Sequence, residues 1–513
     1  MNGAEALIRT ALQAGITACF ANPGTTEIPL LQALDAVPGM RSVLGLFEGV
    51  CTGAADGFAR MSDKPGFTLL HHGPGFANGI ANLHNARRAF SPIVNIIGQH
   101  MTWHVEADSP LTSDIEGLAR AVSASVVSVR SAADLPSAFA HAIEAALCPP
   151  GRIASLIVPM DCLTGECRGP VRASCAPRFP SVESQRLSLA AEAIRIGKST
   201  AILLGGRALR QAGLNAASRI GAAMNCRLFC NTFPARLERG AGIPQVERLP
   251  YFPEQAIERL SSFSHIILAG DREPVSFFGY PGLPSRLIPD QCKVISLAAP
   301  AEDATEALQA LAEELQITGA PIAAEAARPE RPRGRISPRS LGEAIASVQP
   351  EGLILVDEAV TSGLPHFLLS AGVPPFTYLG HTGGSIGQGL PCATGAAIAC
   401  PDRKVLAFQA DGSAMYTAQA LWTQAREGLA VTTILCANRS YRILQIELAR
   451  AGIEKPGPQS AAMTDLTRPE LKWVDIAHGM GVPAIRVETA DVLAEQLARA
   501  FAEPGPHLIE AML

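Results

Sequence analysis

One recurring feature constrains the fold of this chain more than any other. Short apolar runs without polar alternation are each followed by a stretch with helical spacing. ITACFA (16–21), SVLGLF (42–47), FTLL (67–70), SPIVNIIG (91–98) and ASLIVP (154–159) are runs of this kind. A strand with one wet face alternates apolar and polar residues, so a strand that does not alternate is buried on both faces. GVCTGAADGFARM and FANGIANLHNARRAF, lying between these runs, carry the helical period. Strands alternating with helices predict a doubly wound parallel sheet with helices on both faces.

The pattern occurs three times. After a polar, proline-bearing stretch at 167–185, STAILLGG, CRLFCNTF, HIILAG and KVISLAA are strands of a second unit. A Pro/Arg-rich stretch, RPERPRGRISPRS (328–340), precedes a third unit containing LILVDE, KVLAFQADG, VTTILCAN and HLIEAML. The expected organisation is three α/β domains, 1–166, 186–318 and 338–513. This agrees with 513 residues at roughly 150 per domain.

Composition narrows the function classes. The chain is 48% hydrophobic and 17% charged, with a formal net charge of -5. It offers no basic face for nucleic acid. No uncharged apolar stretch reaches the roughly 18–20 residues that span a bilayer, and the start lacks a signal-peptide core. A cytoplasmic protein with no membrane partner is expected. The 12 cysteines show no C-x-x-C and no nearby histidine, so reduced thiols are expected, without disulfide or zinc.

Parallel sheets bind ligands at the carboxyl ends of their strands. In the third unit, KVLAFQ ends at Asp411, a helix is expected from near Ser413, and VTTILCA ends at Asn438. One returning helix fits between them, placing Asp411 and Asn438 on neighbouring strand ends. Both offer hard oxygen ligands suited to Mg²⁺, and a helix opening there offers N–H groups to a diphosphate. A capping aspartate and a turn asparagine would look the same. In the first unit Glu48 follows an apolar run at a helix start, where burial favours proton transfer and where capping is the plainer reading. HTGGSIGQGLPCATGAAIA (381–399) permits close backbone approach or tight helix packing. LLHHGPGFANG (69–79) places His71 and His72 ahead of glycines.

Together these motifs resemble the thiamin diphosphate (ThDP) enzymes of the pyruvate decarboxylase/acetolactate synthase group. ADG…AN (410–438) is similar to the group's GDG…NN motif, with Ala410 and Ala437 as departures. EGVCTGAADGFAR (48–60) resembles its pyrimidine-domain signature, NPGTTE (22–27) its NPG loop, and LLHHGPG combines sequence like benzoylformate decarboxylase and like acetolactate synthase. The resemblance spans the chain, and short acetolactate-synthase-like proteins are the most similar subgroup. It implies the ThDP-binding fold, with pyrimidine-binding, central and diphosphate-binding domains in that order. It implies Asp411, Asn438 and the Ser440 carbonyl as Mg²⁺ ligands. Gly412, Ser413, Tyr441, Thr361 and Ser362 would lie at the cofactor. Glu48 would contact N1′ of the aminopyrimidine, the Gly384 carbonyl its 4′-amino group, and Ile386 would hold the cofactor's V shape. His71, with Thr25, would manage protons or the substrate carboxylate, while His72 is read as structural.

The activity implied is decarboxylation of a small 2-oxo acid, an enamine forming after CO₂ loss and an aldehyde or acyloin being released. A homodimer or homotetramer with the cofactor between subunits is implied too. Acetolactate synthase proper is an alternative, and Ala410 and Ala437 leave open a ThDP-binding protein with weakened catalysis. The central domain carries no fingerprint that assigns FAD. A nicotinamide dehydrogenase is disfavoured because GPGFANG has the spacing G-x-G-x-x-x-G, not G-x-G-x-x-G. PVSFFGYPG (274–282) stands where benzoylformate decarboxylase has a second histidine, and Phe277, Phe278 and Tyr280 are read there as an apolar wall.

Overall fold

A computed structural model describes residues 1–174, 178–197 and 199–513. The chain forms two compact units: Met1–Pro177, Pro329–Leu369 and His381–Leu513 make one, Arg178–Arg328 and Ser370–Gly380 the other. The first unit holds two sheets.

The first sheet contains β1 (Ala18–Asn22), β2 (Arg41–Leu44), β3 (Gly66–Leu70), β4 (Ile93–Gln99), β5 (Ser125–Ser128) and β6 (Ile153–Pro159). Its order is β2-β1-β3-β4-β6-β5, and every pairing is parallel. β3 and β6 are buried along their whole length, as their unalternating apolar runs require. One face is covered by the helices Gly3–Gln13 and Leu135–Leu147, whose Leu7, Ile8, Phe139 and Ile143 pack on Phe67, Val94 and Leu156. Asn2 caps the first of these helices through its side chain, which accepts from Glu5 N at 2.8 Å.

The second unit contains β7 (Thr200–Leu204), β8 (Arg227–Cys230), β9 (Leu237–Arg239), β10 (Glu247–Arg248), β11 (His265–Ala269) and β12 (Lys293–Ala298). β10-β8-β7-β11-β12 form a parallel sheet around Phe229, Ile266 and Leu268. The remaining strands are β13 (Ile354–Glu358), β14 (Phe376–Gly380), β15 (Val405–Ala410), β16 (Val431–Ala437), β17 (Ala484–Val487) and β18 (His507–Met512). β14 belongs to the second unit, where it pairs antiparallel with β9. β17-β18-β16-β15-β13 are parallel and form the second sheet of the first unit.

Two small-residue helices join the sheets of the first unit. Glu48–Ser62 lies against Gly389–Ala399 so closely that backbones touch. A Cβ on Gly57 would stand 2.0 Å from the Cys392 carbonyl oxygen, and one on Gly395 would stand 1.8 Å from that of Ala54. Beside this crossing, Asp56 and Arg60 form a buried ion pair at 2.6 Å. Ser91 and Gln388 donate to the remaining capacity of the Asp56 carboxylate, and Arg60 reaches Thr382. A buried pair with every lone pair satisfied escapes most of its desolvation cost.

The described cysteines are all free; Cys175 lies outside the described residues. Among the described residues no helix is long and apolar enough to cross a membrane. The crossing gives a direct prediction. Gly395→Ala forces a methyl into a backbone carbonyl and should cost at least about 2 kcal/mol of stability by chemical denaturation. An unchanged denaturation midpoint would refute this account of the packing.

Candidate active site

The carboxyl edge of the first sheet carries an acid, a hydroxyl and a row of imidazoles. β1 ends at Asn22, and the turn Asn22-Pro23-Gly24 leads into a short helical turn, Thr25–Glu27. Glu27 is fully buried, and its Oε2 accepts from Gly24 N at 2.6 Å and from His71 Nδ1 at 2.7 Å. Its Oε1 accepts from Thr26 Oγ1 at 2.6 Å. A carboxylate only accepts, so His71 carries its proton on Nδ1 and turns Nε2 to the remaining space. The His71 ring also lies over Gly24, where an added Cβ would meet it at 2.4 Å. Glu27 is the member of this cluster that the sequence reading leaves out. Thr26 rather than Thr25 bonds within this cluster, while Thr25 is exposed.

His72 follows at the start of the helix His72–Ala89 with φ of 50° and 1% exposure. Thr26 spends its proton on Glu27, so His72 Nε2, 3.3 Å away, donates to it. That leaves His72 Nδ1 as a buried acceptor without a hydrogen bond. Protonating it would bury a charge, and burial, with His71 and His100 alongside, pushes its pKa down to about 4. The structure thus supports the structural reading of His72. β4 ends beside β3, which brings in His100, its ring centroid 4.3 Å from that of His72, and then His104 at 5.3 Å from His100. Burial also lowers the His100 pKa, and Ser109 Oγ lies 2.8 Å from its Nε2. Their spacing in sequence gave no link to His71; the adjacency of β3 and β4 supplies it.

Glu48 is the first residue of its helix and is 9% exposed. Its Oε2 accepts from Asn78 Nδ2 at 2.9 Å, and a Cβ on Gly75 would stand 3.0 Å from its Oε1. Gly75 therefore lets the first turn of the helix after His71 pass against Glu48.

In the other sheet β15 and β16 are neighbours in register Ala410↔Cys436, so Asp411 and Asn438 leave adjacent strand ends, as their spacing predicts. The helix opens at Asp411 itself, not near Ser413, and is only four residues long. Asp411 is 3% exposed; its Oδ1 accepts from Gly412 N at 2.8 Å and its Oδ2 from Arg439 N at 2.6 Å. Burial raises its pKa despite these bonds, with Glu510 adding to the effect. Asn438 Oδ1 accepts from Ser440 N at 2.9 Å. Tyr441 packs on Gly412, where a Cβ would stand 2.6 Å from its ring. Ser413 is turned inward, accepting from Gln409 Nε2 at 2.7 Å and donating to Ala410 O.

Ala410 has φ of -89° and ψ of 150°, extended backbone that needs no glycine. Thr361 and Ser362 follow β13, after Val360 at φ 51°. A β-branched residue in the left-handed region is strained, and such strain collects at functional turns. Ser362 is buried, while Gly384 sits at φ 77° beside Ser385 and Ile386. Among the described residues no group of three or more His, Cys, Asp or Glu side chains is placed to hold a metal.

The second unit is built on a parallel sheet of five strands. Its strand order reverses between β7 and β11, the place where such sheets bind nucleotides. Asp271 fills that crevice: a Cβ on Gly205 would meet its side chain at 2.5 Å, and burial raises its pKa to about 6. An acid there opposes a diphosphate, so FAD does not fit this position. Phe277 and Phe278 are exposed and join Phe233 and Tyr251 in an aromatic cluster within the same unit.

Comparison with known proteins bears on both sheets of the first unit. Residues 1–119 match the family "Thiamine pyrophosphate enzyme, N-terminal TPP binding domain", and residues 367–511 its C-terminal TPP binding domain. A Mycobacterium tuberculosis protein is 49% identical over 100% of this chain and 99% of its own length. Its assigned name, acetolactate synthase large subunit IlvX, is provisional. Benzoylformate decarboxylase of Pseudomonas aeruginosa is 27% identical over 97% of this chain and 96% of its own. Among solved structures, a thiamine diphosphate-dependent 4-hydroxybenzoylformate decarboxylase of Rhodococcus jostii superposes with a TM-score of 0.87. It is 22% identical and covers 100% of this chain and 99% of its own.

The His72 geometry sets a pH dependence. With a pKa depressed to about 4 in the fold against about 6.5 unfolded, the unfolded chain binds the extra proton between these values. Stability should fall as pH drops from about 6.5 towards 4 and level off below. His72→Asn should flatten this part of the urea-denaturation profile; an equally steep variant profile would contradict the assignment.

Proposed function

Because the chain belongs to the thiamine pyrophosphate enzyme family, we propose that it is a ThDP- and Mg²⁺-dependent decarboxylase or carboligase of small 2-oxo acids. The observation that carries this reading is Glu48, a nearly buried carboxylate at a helix start, held by one amide and faced by the glycine turn that follows His71. Benzoylformate, which the name of one relative gives as that protein's substrate, is a 2-oxo acid.

The residues fit the cofactor and its metal. Asp411 is a desolvated anion bonded, among the described residues, only by backbone N–H groups and by no cationic side chain, so a cation is the missing partner. Asn438 and the Ser440 carbonyl would complete the protein's share of an Mg²⁺ shell, water and diphosphate oxygens supplying the rest. Gly412, Ser413, Tyr441, Thr361 and Ser362 would surround the diphosphate, with Gly384 and Ile386 at the rings. Bound ThDP supplies an electron sink for the pair left behind by departing CO₂.

The chain's own residues do the rest. Glu48 would hold a proton at N1′ of the aminopyrimidine. Glu27 fixes His71 in one tautomer, leaving Nε2 to take or give a proton at the substrate. Thr25, exposed at the same turn, is a candidate contact for the substrate carboxylate. A homodimer or homotetramer, with Glu48 of one subunit facing Asp411 of another, is part of the proposal.

The deciding experiment incubates the protein with ThDP, Mg²⁺ and a panel of 2-oxo acids and follows CO₂ and products by mass spectrometry. Aldehyde release marks a decarboxylase, and a 2-hydroxy-2-methyl-3-oxo acid from pyruvate marks acetolactate synthase. ThDP binding without CO₂ release from any acid would instead favour the catalytically weakened protein.

Two further outcomes are expected. Glu48→Ala should lower turnover by about 10²-fold or more, the typical share of a proton-transfer group, and near-normal turnover would sink the assignment. Stripping Mg²⁺ with a chelator should abolish activity reversibly, and Asp411→Ala should prevent its restoration.

A further inference from the structure

Asn78, Asn82 and Asn85 recur at intervals of four and three along the helix His72–Ala89 and so share one face. Asn82 and Asn85 are buried, at 3% and 0% exposure. Their amides line one face of the helix, and those of Asn82 and Asn85 are bonded to each other. Asn78 Nδ2 donates to Glu48 Oε2 at 2.9 Å, and Asn82 Nδ2 donates to Gly49 O at 2.8 Å and Gly387 O at 3.2 Å. Asn85 Nδ2 donates to Asn82 Oδ1 at 3.2 Å and Ser385 O at 2.7 Å, while its Oδ1 accepts from Ser385 N at 3.1 Å. Beside them His84 Nε2 lies 3.1 Å from Gly383 O, and His381 Nε2 lies 2.8 Å from Ser385 O.

The loop is pressed onto this helix: a Cβ on Gly383 would stand 2.3 Å from Asn85 Oδ1. The result is selective. The carbonyls of Gly383, Ser385 and Gly387 are each taken by a side chain. Among the described residues no hydrogen bond reaches the carbonyl of Gly384, held at φ 77° between them.

We propose that His84 and Asn85 are positioning residues that reserve the Gly384 carbonyl for the 4′-amino group of the cofactor. They do so by occupying the carbonyls on either side of it. This rests on the ThDP reading above. The same row, through Asn78, holds the Glu48 carboxylate. In the proposed dimer Glu48 and Gly384 of one chain would address the aminopyrimidines of two different cofactors, so one helix face sets one recognition group for each. Buried asparagines that only satisfied stray carbonyls would stabilise the fold without any bearing on which group the cofactor presents.

The test compares binding of ThDP and of its 4′-oxo analogue, which lacks the amino group. Calorimetry is run on the full-length apoprotein in excess Mg²⁺. Wild type should prefer ThDP by about tenfold, the worth of one hydrogen bond of about 1.4 kcal/mol. Asn85→Ala should lose that preference through weaker ThDP binding, with its affinity for the analogue unchanged. His84→Phe keeps a ring while releasing Gly383 O, and should reduce the preference too; it serves if Asn85→Ala does not fold. A variant that folds and keeps the wild-type ratio, or a wild type with no preference, overturns the proposal. A wild type that binds neither compound instead overturns the ThDP reading itself.

Discussion

The contact between the helices Glu48–Ser62 and Gly389–Ala399 is the constraint from which the first unit is built. Gly57 and Gly395 allow backbone to meet backbone where any side chain would overlap a carbonyl oxygen. Dispersion is strongest where atoms pack without a gap, and small residues on both helices make that possible over a long contact. The crossing also fixes chemistry. Glu48 is the first residue of one helix, and the loop 383–388 runs directly into the other. Asp56, bonded to Arg60, Ser91 and Gln388, locks the two helices at that point. A signature that reads as a functional motif, EGVCTGAADGFAR, thus carries the proposed catalytic acid at its first residue and is architectural in the remainder.

How much was legible in the sequence follows from burial. β3, β6, β11 and β16 are sealed on both faces, and their unbroken apolar runs announced them. β5 and β17 lie at sheet ends, half exposed with mixed residues, and β9 and β10 are only three and two residues long. Nothing in their composition sets such segments apart from turns. Asp411 and Asn438 could be placed because two strand ends and one crossover fix their distance. The short helix could not, since its N-cap is Ala410, which offers no capping side chain.

Glu27 and the histidine row escaped for a different reason. Glu27 sits in a quoted motif, yet a single acid in a turn carries no periodic signal, and only the tertiary fold shows it buried against β4. A Cβ on Gly98 would land on its carboxylate. His100 and His104 follow the end of β4, and the register of β3 with β4 is a property of the sheet. The asparagine row was visible as a spacing, but its meaning depended on a loop three hundred residues away.

One feature of the His71 setting reaches beyond acid–base chemistry. Its ring is hydrogen-bonded to Glu27 and lies against Gly24, where an added Cβ would overlap it. In the proposed role, a ring so confined would deliver its proton from a single direction. At a flat trigonal carbon this distinguishes the two faces, and any stereocentre formed within reach of His71 would acquire one hand. Handedness of product would then be written into the turn after β1.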